Sequence, residues 1–290
     1  MKKVVIWSAG QVGIQTMWHV TMDYELIGFI DSDVRRQTSG GGGEPISYNN
    51  KLYEVYPPHT LKELEFDRVF IANMSDHQTQ EIIRSLESFQ IPSQKIDTGG
   101  FGKVCKFSRL NFIKALSIQF QENNISGAVA EFGVWRGETA RYINEYFKAD
   151  EFYLLDTFEG FNEKGISKEI GISQQSKTTD FSDTSLEFVK NKMPYLQKCH
   201  FVKGYFPESA TYIPKDEKFK FVNIDVDLYQ PILEGLRYFY PRLVTDGVIL
   251  IHDYFHPYYV GAKRAVDKFA REMKVRVLPI GDAFSVMIQK

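Results

Sequence analysis

A chain of 290 residues, 43% hydrophobic and 25% charged, has material for two buried cores. Its formal net charge of −2 removes the electrostatic case for nucleic acid or an anionic membrane as main partner. Cys105 and Cys199 are too few for a disulfide framework and lack metal-ligand spacing, so both read as reduced thiols. No apolar run nears the ~18 residues of a membrane span, and Met-Lys-Lys-Val-Val-Ile-Trp lacks a signal-peptide core, which makes the cytoplasm the expected location.

In chain order, Lys3 to Trp7 is a compact β run, and Ser8-Ala9-Gly10-Gln11-Val12-Gly13 turns into a helix carrying Ile14, Met17, Trp18 and Val20. Glu25 to Ile30 reads as a second strand, followed by Asp31. Residues 38–45, with four consecutive glycines, read as a flexible loop. Phe66 to Ala72 is a further strand, Gln78 to Phe89 an amphipathic helix, and Lys95-Ile96-Asp97 closes the sheet. Residues 1–98 therefore predict a small Rossmann-like α/β domain. Its turn is a Gly-x-Gly-x-x-Gly with Ser8 in the first place, and Asp31 follows Gly13 by 18 residues. It resembles the small Rossmann-like domains attached to enzymes of nucleotide-sugar metabolism. Such a domain suits either the nucleotide of an acceptor or an interface between copies in a homo-oligomer. Two rival functions attach to it: an NAD(P)-dependent oxidoreductase of nucleotide-sugar metabolism, or a non-catalytic nucleotide-binding protein. Ser8, and the lack of hydride-relay residues nearby, weigh against redox chemistry.

Thr98-Gly99-Gly100-Phe101-Gly102 marks a linker over 99–107, and a helix from about Leu110 to Glu122 opens a second domain over 108–290. Strands follow at 127–132, 151–156, 199–203, 219–225 and 246–252. A hairpin over 274–279 and 283–288, joined by Gly281-Asp282, ends the chain. Five parallel strands and a terminal antiparallel hairpin predict the seven-stranded sheet of a class I methyltransferase.

The chemistry concentrates at the C-terminal strand ends, where ligands of doubly wound sheets bind. Ala130-Glu131-Phe132-Gly133-Val134-Trp135-Arg136-Gly137, then Phe152 to Asp156, is strand, glycine turn, helix, strand, acid, with Asp156 19 residues after Gly137. Gly133 and Gly137 would let the backbone approach a ligand, and Asp156 stands where an acid holds ribose hydroxyls. Glu131 would repel a pyrophosphate but suits an ammonium group. That combination predicts S-adenosyl-L-methionine, contacted by Glu131, Gly133, Trp135, Gly137, Asp156, Thr157, Phe158 and, beside the adenine, Gly204. On the same rim, Asp225, His252 and Asp253 form a carboxylate–imidazole set. It could hold a divalent cation that acidifies a hydroxyl, or act as a general base with its partner. The long loop from Thr157 to Asp183, with Phe158, Phe161 and Phe181, reads as a lid over the acceptor or as a disordered segment.

The strings Glu-Phe-Gly-Val-Trp-Arg-Gly (131–137), Leu-Asp-Thr-Phe-Glu-Gly-Phe (155–161), Asp-Val-Asp-Leu-Tyr (225–229) and Tyr-Pro-Arg-Leu-Val-Thr-Asp-Gly-Val-Ile-Leu-Ile-His-Asp-Tyr (240–254) resemble the macrocin O-methyltransferase (TylF-type) family. The likeness covers roughly 108–290, and Gly261 to Asp267 extends it. It implies an O-methyltransferase using S-adenosylmethionine on a hydroxyl of a sugar-containing small molecule, nucleotide-linked, polymeric or a natural-product precursor. It also implies a magnesium site with Asp225 as ligand and base and the 252–253 pair as further ligands. The family pattern at that pair is Asp-Asp-Tyr, whereas this chain has His252-Asp253-Tyr254. Magnesium prefers oxygen, so either the metal differs or His252 is the base.

Overall fold

Apart from residues 39–40, 74, 99–100, 170 and 283, and the side chains of 76, 101–106, 171 and 172, the computed structural model describes the whole chain. It divides into two units, Met1–Phe107 and Ser108–Lys290.

In the first unit, β1 (Lys3–Trp7), α1 (Gln11–Val20) and β2 (Glu25–Ile30) form the opening βαβ. A hairpin of β3 (Ile46–Tyr48) and β4 (Lys51–Tyr53) precedes β5 (Val55–Tyr56), β6 (Arg68–Ile71), α2 (Asp76–Ser88) and β7 (Ile96–Asp97). The sheet runs β5-β2-β1-β6-β7, parallel throughout. Val4, Val5 and Ile6 are wholly buried, the uninterrupted apolar run that a strand covered on both faces requires. The 8–13 turn is tightly built. A Cβ on Gly13 would lie 1.8 Å from the Ser8 carbonyl oxygen, so only glycine lets the helix pass that close. Asp31 Oδ2 accepts the Ala9 N–H at 2.8 Å and pairs with Arg36 at 3.3 Å, bracing the turn. The three short strands β3 to β5 were not legible as β runs. Part of the glycine loop expected at 38–45, residues 39–40, lies outside the described residues.

Helix α3 (Phe101–Glu122) begins inside the segment expected to be a linker. Only residues 99–100 of that segment fall outside the described residues. A glycine such as Gly102 costs a helix only about 1 kcal/mol, too little to halt one 22 residues long. Then come β8 (Ala128–Phe132), α4 (Ala140–Tyr146), β9 (Phe152–Asp156), α5 (Glu163–Ile166), α6 (Leu186–Lys190) and β10 (Cys199–Lys203). They are followed by β11 (Phe219–Ile224), α7 (Tyr229–Phe239), β12 (Leu243–Ile251), α8 (Val260–Met273), β13 (Leu278–Pro279) and β14 (Val286–Gln289). The sheet order is β10-β9-β8-β11-β12-β14-β13, and only β14 runs against the rest. This is the class I methyltransferase sheet that the strand spacing predicts. The closing hairpin is shorter than expected, and residue 283 in its turn lies outside the described residues.

Side-chain alternation sorts the two faces. Ala130 and Phe132 of β8, with Val222 and Ile224 of β11, meet α7 and α8, whereas Val129 and Phe221 meet Ile113, Leu116 and Phe120 of α3. Phenylalanine fills both layers: Phe152, Phe219, Phe221, Phe239 and Phe269 are essentially inaccessible, each burial worth roughly 1.5–3 kcal/mol. Most of the chain's phenylalanines are core.

Candidate active site

The glycine turn after β8 is closely packed against its protein neighbours. Gly133 has φ +93°, and a Cβ there would sit 1.9 Å from the Asp225 carbonyl oxygen. Gly137 has φ +72° and faces Val189 and Met193. Gly133 is obligatory because a carbonyl oxygen occupies the Cβ position, and Gly137 is favoured by its positive φ, reasons that stand beside the ligand approach inferred from sequence. Trp135 between them also takes positive φ, 45°.

Asp156 ties the turn down. Its Oδ2 accepts the N–H of Val134 at 2.7 Å and of Trp135 at 2.8 Å, and its Oδ1 accepts the Phe158 N–H at 2.7 Å. Thr157 donates its hydroxyl to the Gly160 carbonyl at 2.7 Å. Gly204, with φ +138°, donates its N–H to the Asp156 carbonyl at 2.9 Å. The Phe158 ring is 3% exposed and packs beside Phe201 in the core, so its side chain is not a rim contact. The loop after it is folded down. Trp135 Nε1 donates to Asp183 Oδ1 at 2.7 Å and Arg136 pairs with Asp183 Oδ2 at 3.0 Å. Phe181 lies edge-on to both Trp135 and Phe161, and Phe161 in turn to Tyr259.

Glu131 and Asn223 stand opposite each other on β8 and β11. Asn223 Nδ2 donates to Glu131 Oε1 at 2.8 Å, while Glu131 Oε2 is buried without a partner. Arg109 then donates through Nη2 to Asn223 Oδ1 at 3.0 Å and to Asp225 Oδ2 at 2.9 Å. Beyond Asp225, His252 Nδ1 lies 3.1 Å from Asp225 Oδ1 and 2.9 Å from Asp253 Oδ2, yet neither contact is aligned as a hydrogen bond. The three ligand atoms of Asp225, His252 and Asp253 lie within 4.8 Å of one another. Asp225, His252 and Asp253 thus converge as the strand order requires, because β11 and β12 are neighbours.

The charges are arranged to balance. Burial alone would raise Asp225, but the His252 and Arg109 cations outweigh it and hold the carboxyl below the usual range. Burial would likewise depress His252, but Asp225 and Asp253 override it and hold the imidazole up to about 10. Asp253 is lowered, His252 again outweighing burial. Burial, reinforced by Asp225, pushes Glu131 well above its ordinary value. Burial and the neighbouring Asp253 and Asp225 do the same to Asp227. The result sets the Asp225 and Asp253 carboxylates against the Arg109 and His252 cations, while Glu131 and Asp227 are shifted toward their protonated forms.

The comparisons with known proteins bear on this unit most. The sequence pattern described as Macrocin-O-methyltransferase (TylF) matches residues 56–289. The chain belongs to that family. A second pattern, C2185-like N-terminal, matches residues 1–97. Among relatives of the TylF-type unit, the mycinamicin III 3''-O-methyltransferase of Micromonospora griseorubida is 25% identical over 162 residues, 51% of this chain and 63% of the relative. The 8-demethyl-8-(2,3-dimethoxy-alpha-L-rhamnosyl)-tetracenomycin-C 4'-O-methyltransferase of Streptomyces olivaceus is 22% identical over 143 residues, 46% of this chain and 54% of the relative. The chain thus spans less than two thirds of the length of either. The solved O-methyltransferase NovP shares the fold, with a TM-score of 0.55 at 23% identity, over 63% of this chain and 79% of that one.

Within this TylF member, Arg109 is the site residue that sequence reasoning missed. Its signal was present: Arg109, Ile113, Leu116 and Phe120 fall on one helical stripe, and an arginine in a buried stripe needs an anionic partner. No helix among the described residues is long and apolar enough to cross a membrane.

Proposed function

We propose that the chain transfers a methyl group from S-adenosylmethionine to a hydroxyl of a sugar-containing small molecule. One observation carries the reading. The glycine turn braced by Asp156 and the Asp225–His252–Asp253 set stand at the C-terminal ends of adjacent strands of one sheet. Membership of the TylF family supports the donor, and a relative whose name prints a rhamnosyl group supports the sugar.

In this reading the 133–137 turn, Gly204 and the backbone around Thr157 hold the donor, and the unpartnered Oε2 of Glu131 leaves one acceptor for its ammonium group. Phe161, Phe181 and Tyr259 offer ring faces to the acceptor. Asp225, kept ionised by Arg109 and His252, takes the proton that the acceptor hydroxyl releases as its oxygen bonds the methyl carbon and the sulfur–methyl bond breaks, its electron pair returning to the sulfur of departing S-adenosylhomocysteine. His252 is held in its charged form while no ion is bound, which argues against a free base; to ligate a cation its Nδ1 would give up that proton. A divalent ion held by Asp225, His252 and Asp253 would lower the pKa of the acceptor hydroxyl. The unpartnered Nδ1 between two carboxylate oxygens fits such an ion.

The test is transfer of tritium-labelled methyl from S-adenosylmethionine to a panel of nucleotide-linked sugars. Wild-type protein should label a sugar, and Asp225→Asn should lose on the order of 10²-fold in turnover or more while still binding the demethylated product. Full turnover in Asp225→Asn would remove Asp225 from the chemistry. Labelling of non-sugar hydroxyls alone would contradict the acceptor class.

A further inference from the structure

We infer that the Asp225–His252–Asp253 set selects a transition-metal divalent ion over magnesium. The inference rests on the methyl-transfer reading for its purpose, but on this chain's own donor atoms for its content.

The imidazole is held in place rather than lying there by chance. His252 follows β12 directly, its N–H donates to the Ile224 carbonyl at 2.9 Å, and its ring stacks on Phe284 with centroids 5.3 Å apart at 4°. Nδ1 is therefore presented to the two carboxylates by both backbone and ring packing. It is buried there with no aligned hydrogen bond. Its separations of 3.1 and 2.9 Å from Asp225 Oδ1 and Asp253 Oδ2 match the cis edge of an octahedron, about 3 Å when bonds are about 2.1 Å. A proton on Nδ1 can satisfy only one oxygen well, whereas an ion in front of all three satisfies both.

Arg109 prepares the same arrangement from behind. It binds Asp225 through Oδ2 and so leaves Oδ1 turned toward Nδ1, the part an outer partner plays in orienting a metal ligand. One nitrogen among the protein donors is what distinguishes this chain. Magnesium demands oxygen and gives up water reluctantly, while imidazole suits later divalent ions.

The experiment is a titration of chelator-stripped, desalted full-length protein with Mn²⁺, reading free ion by electron paramagnetic resonance, followed by competition with Mg²⁺. One Mn²⁺ per chain should bind, and Mg²⁺ should displace it only at a concentration at least about tenfold higher. His252→Ala should weaken Mn²⁺ by at least about tenfold, and His252→Asp should bring Mg²⁺ and Mn²⁺ within a few-fold of each other. Far-UV circular dichroism and unfolding midpoints establish that each variant is folded. If His252→Ala does not fold, Co²⁺ absorption bands in wild type that disappear in folded His252→Asp give the same answer. Displacement by equimolar Mg²⁺, unchanged Mn²⁺ affinity in the folded variants, or failure of wild type to bind either ion would overturn the inference. S-adenosylhomocysteine binding, measured on the same samples, separates the two claims. If product binds and no ion does, only the cation preference fails. If an ion binds with the stated preference and product does not, only the methyl-transfer reading fails.

Discussion

Glu131 is an acid folded into the middle of a parallel sheet, 1% exposed, and its surroundings favour the protonated form. In the unfolded chain it ionises near its ordinary value of 4.5. The folded state therefore binds the extra proton, and the residue's contribution to stability falls as pH rises above about 4.5 toward the raised folded value. Glu131→Gln copies the neutral acid and removes that dependence. Measured by urea unfolding, Glu131→Gln should gain stability relative to wild type as pH climbs above about 4.5, and the gain should level off once pH passes the raised folded value. An unchanging difference across that range would mean that Glu131 folds as a carboxylate. At this scale the sequence singled out the acids and glycines as special positions, and the structure adds protein contacts for them. Gly133 yields to a carbonyl from a strand 92 residues away in the chain, and Asp156 faces its own turn. Such roles depend on contacts that no local pattern encodes.

The elements were more legible than the residues. Strands β8 to β12 lie within a few residues of their predicted places, and in β8, β9 and the second half of β12 burial on both faces leaves a nearly continuous hydrophobic signature. What was hidden was irregular structure held by distant partners, and the 157–183 loop is the clearest case. Glu169 in that loop is 4% exposed, its Oε1 accepts the Tyr229 N–H that opens α7, and its Oε2 accepts the Ser173 hydroxyl at 2.8 Å. A capping carboxylate 60 residues upstream of its helix has no sequence signature. Glu169→Ala should cost about 1–2 kcal/mol and should speed hydrogen exchange at the Tyr229 amide. It should also speed tryptic cleavage after Lys164 or Lys168. Unchanged exchange and cleavage would mean that the loop is held by its aromatic contacts alone.

Across the whole molecule the same device occurs twice. Asp31 braces the turn after β1 through Ala9, and Asp156 braces the turn after β8 through Val134 and Trp135. An acid after the second strand therefore marks the fold in both units and does not by itself distinguish a ribose site. What distinguishes the second unit is the polar chain from Glu131 through Asn223 and Arg109 to Asp225 and His252, which has no counterpart among the motifs of the first. The account accordingly places donor binding in residues 108–290 and gives the first unit no redox role. Calorimetric titration of the full-length chain with S-adenosylhomocysteine and, separately, with NAD and NADP tests this most directly. One S-adenosylhomocysteine per chain should bind, with affinity lost in Asp156→Ala, and neither nicotinamide dinucleotide should bind at the same protein concentration. Tight NAD or NADP binding with no heat from S-adenosylhomocysteine would contradict the account.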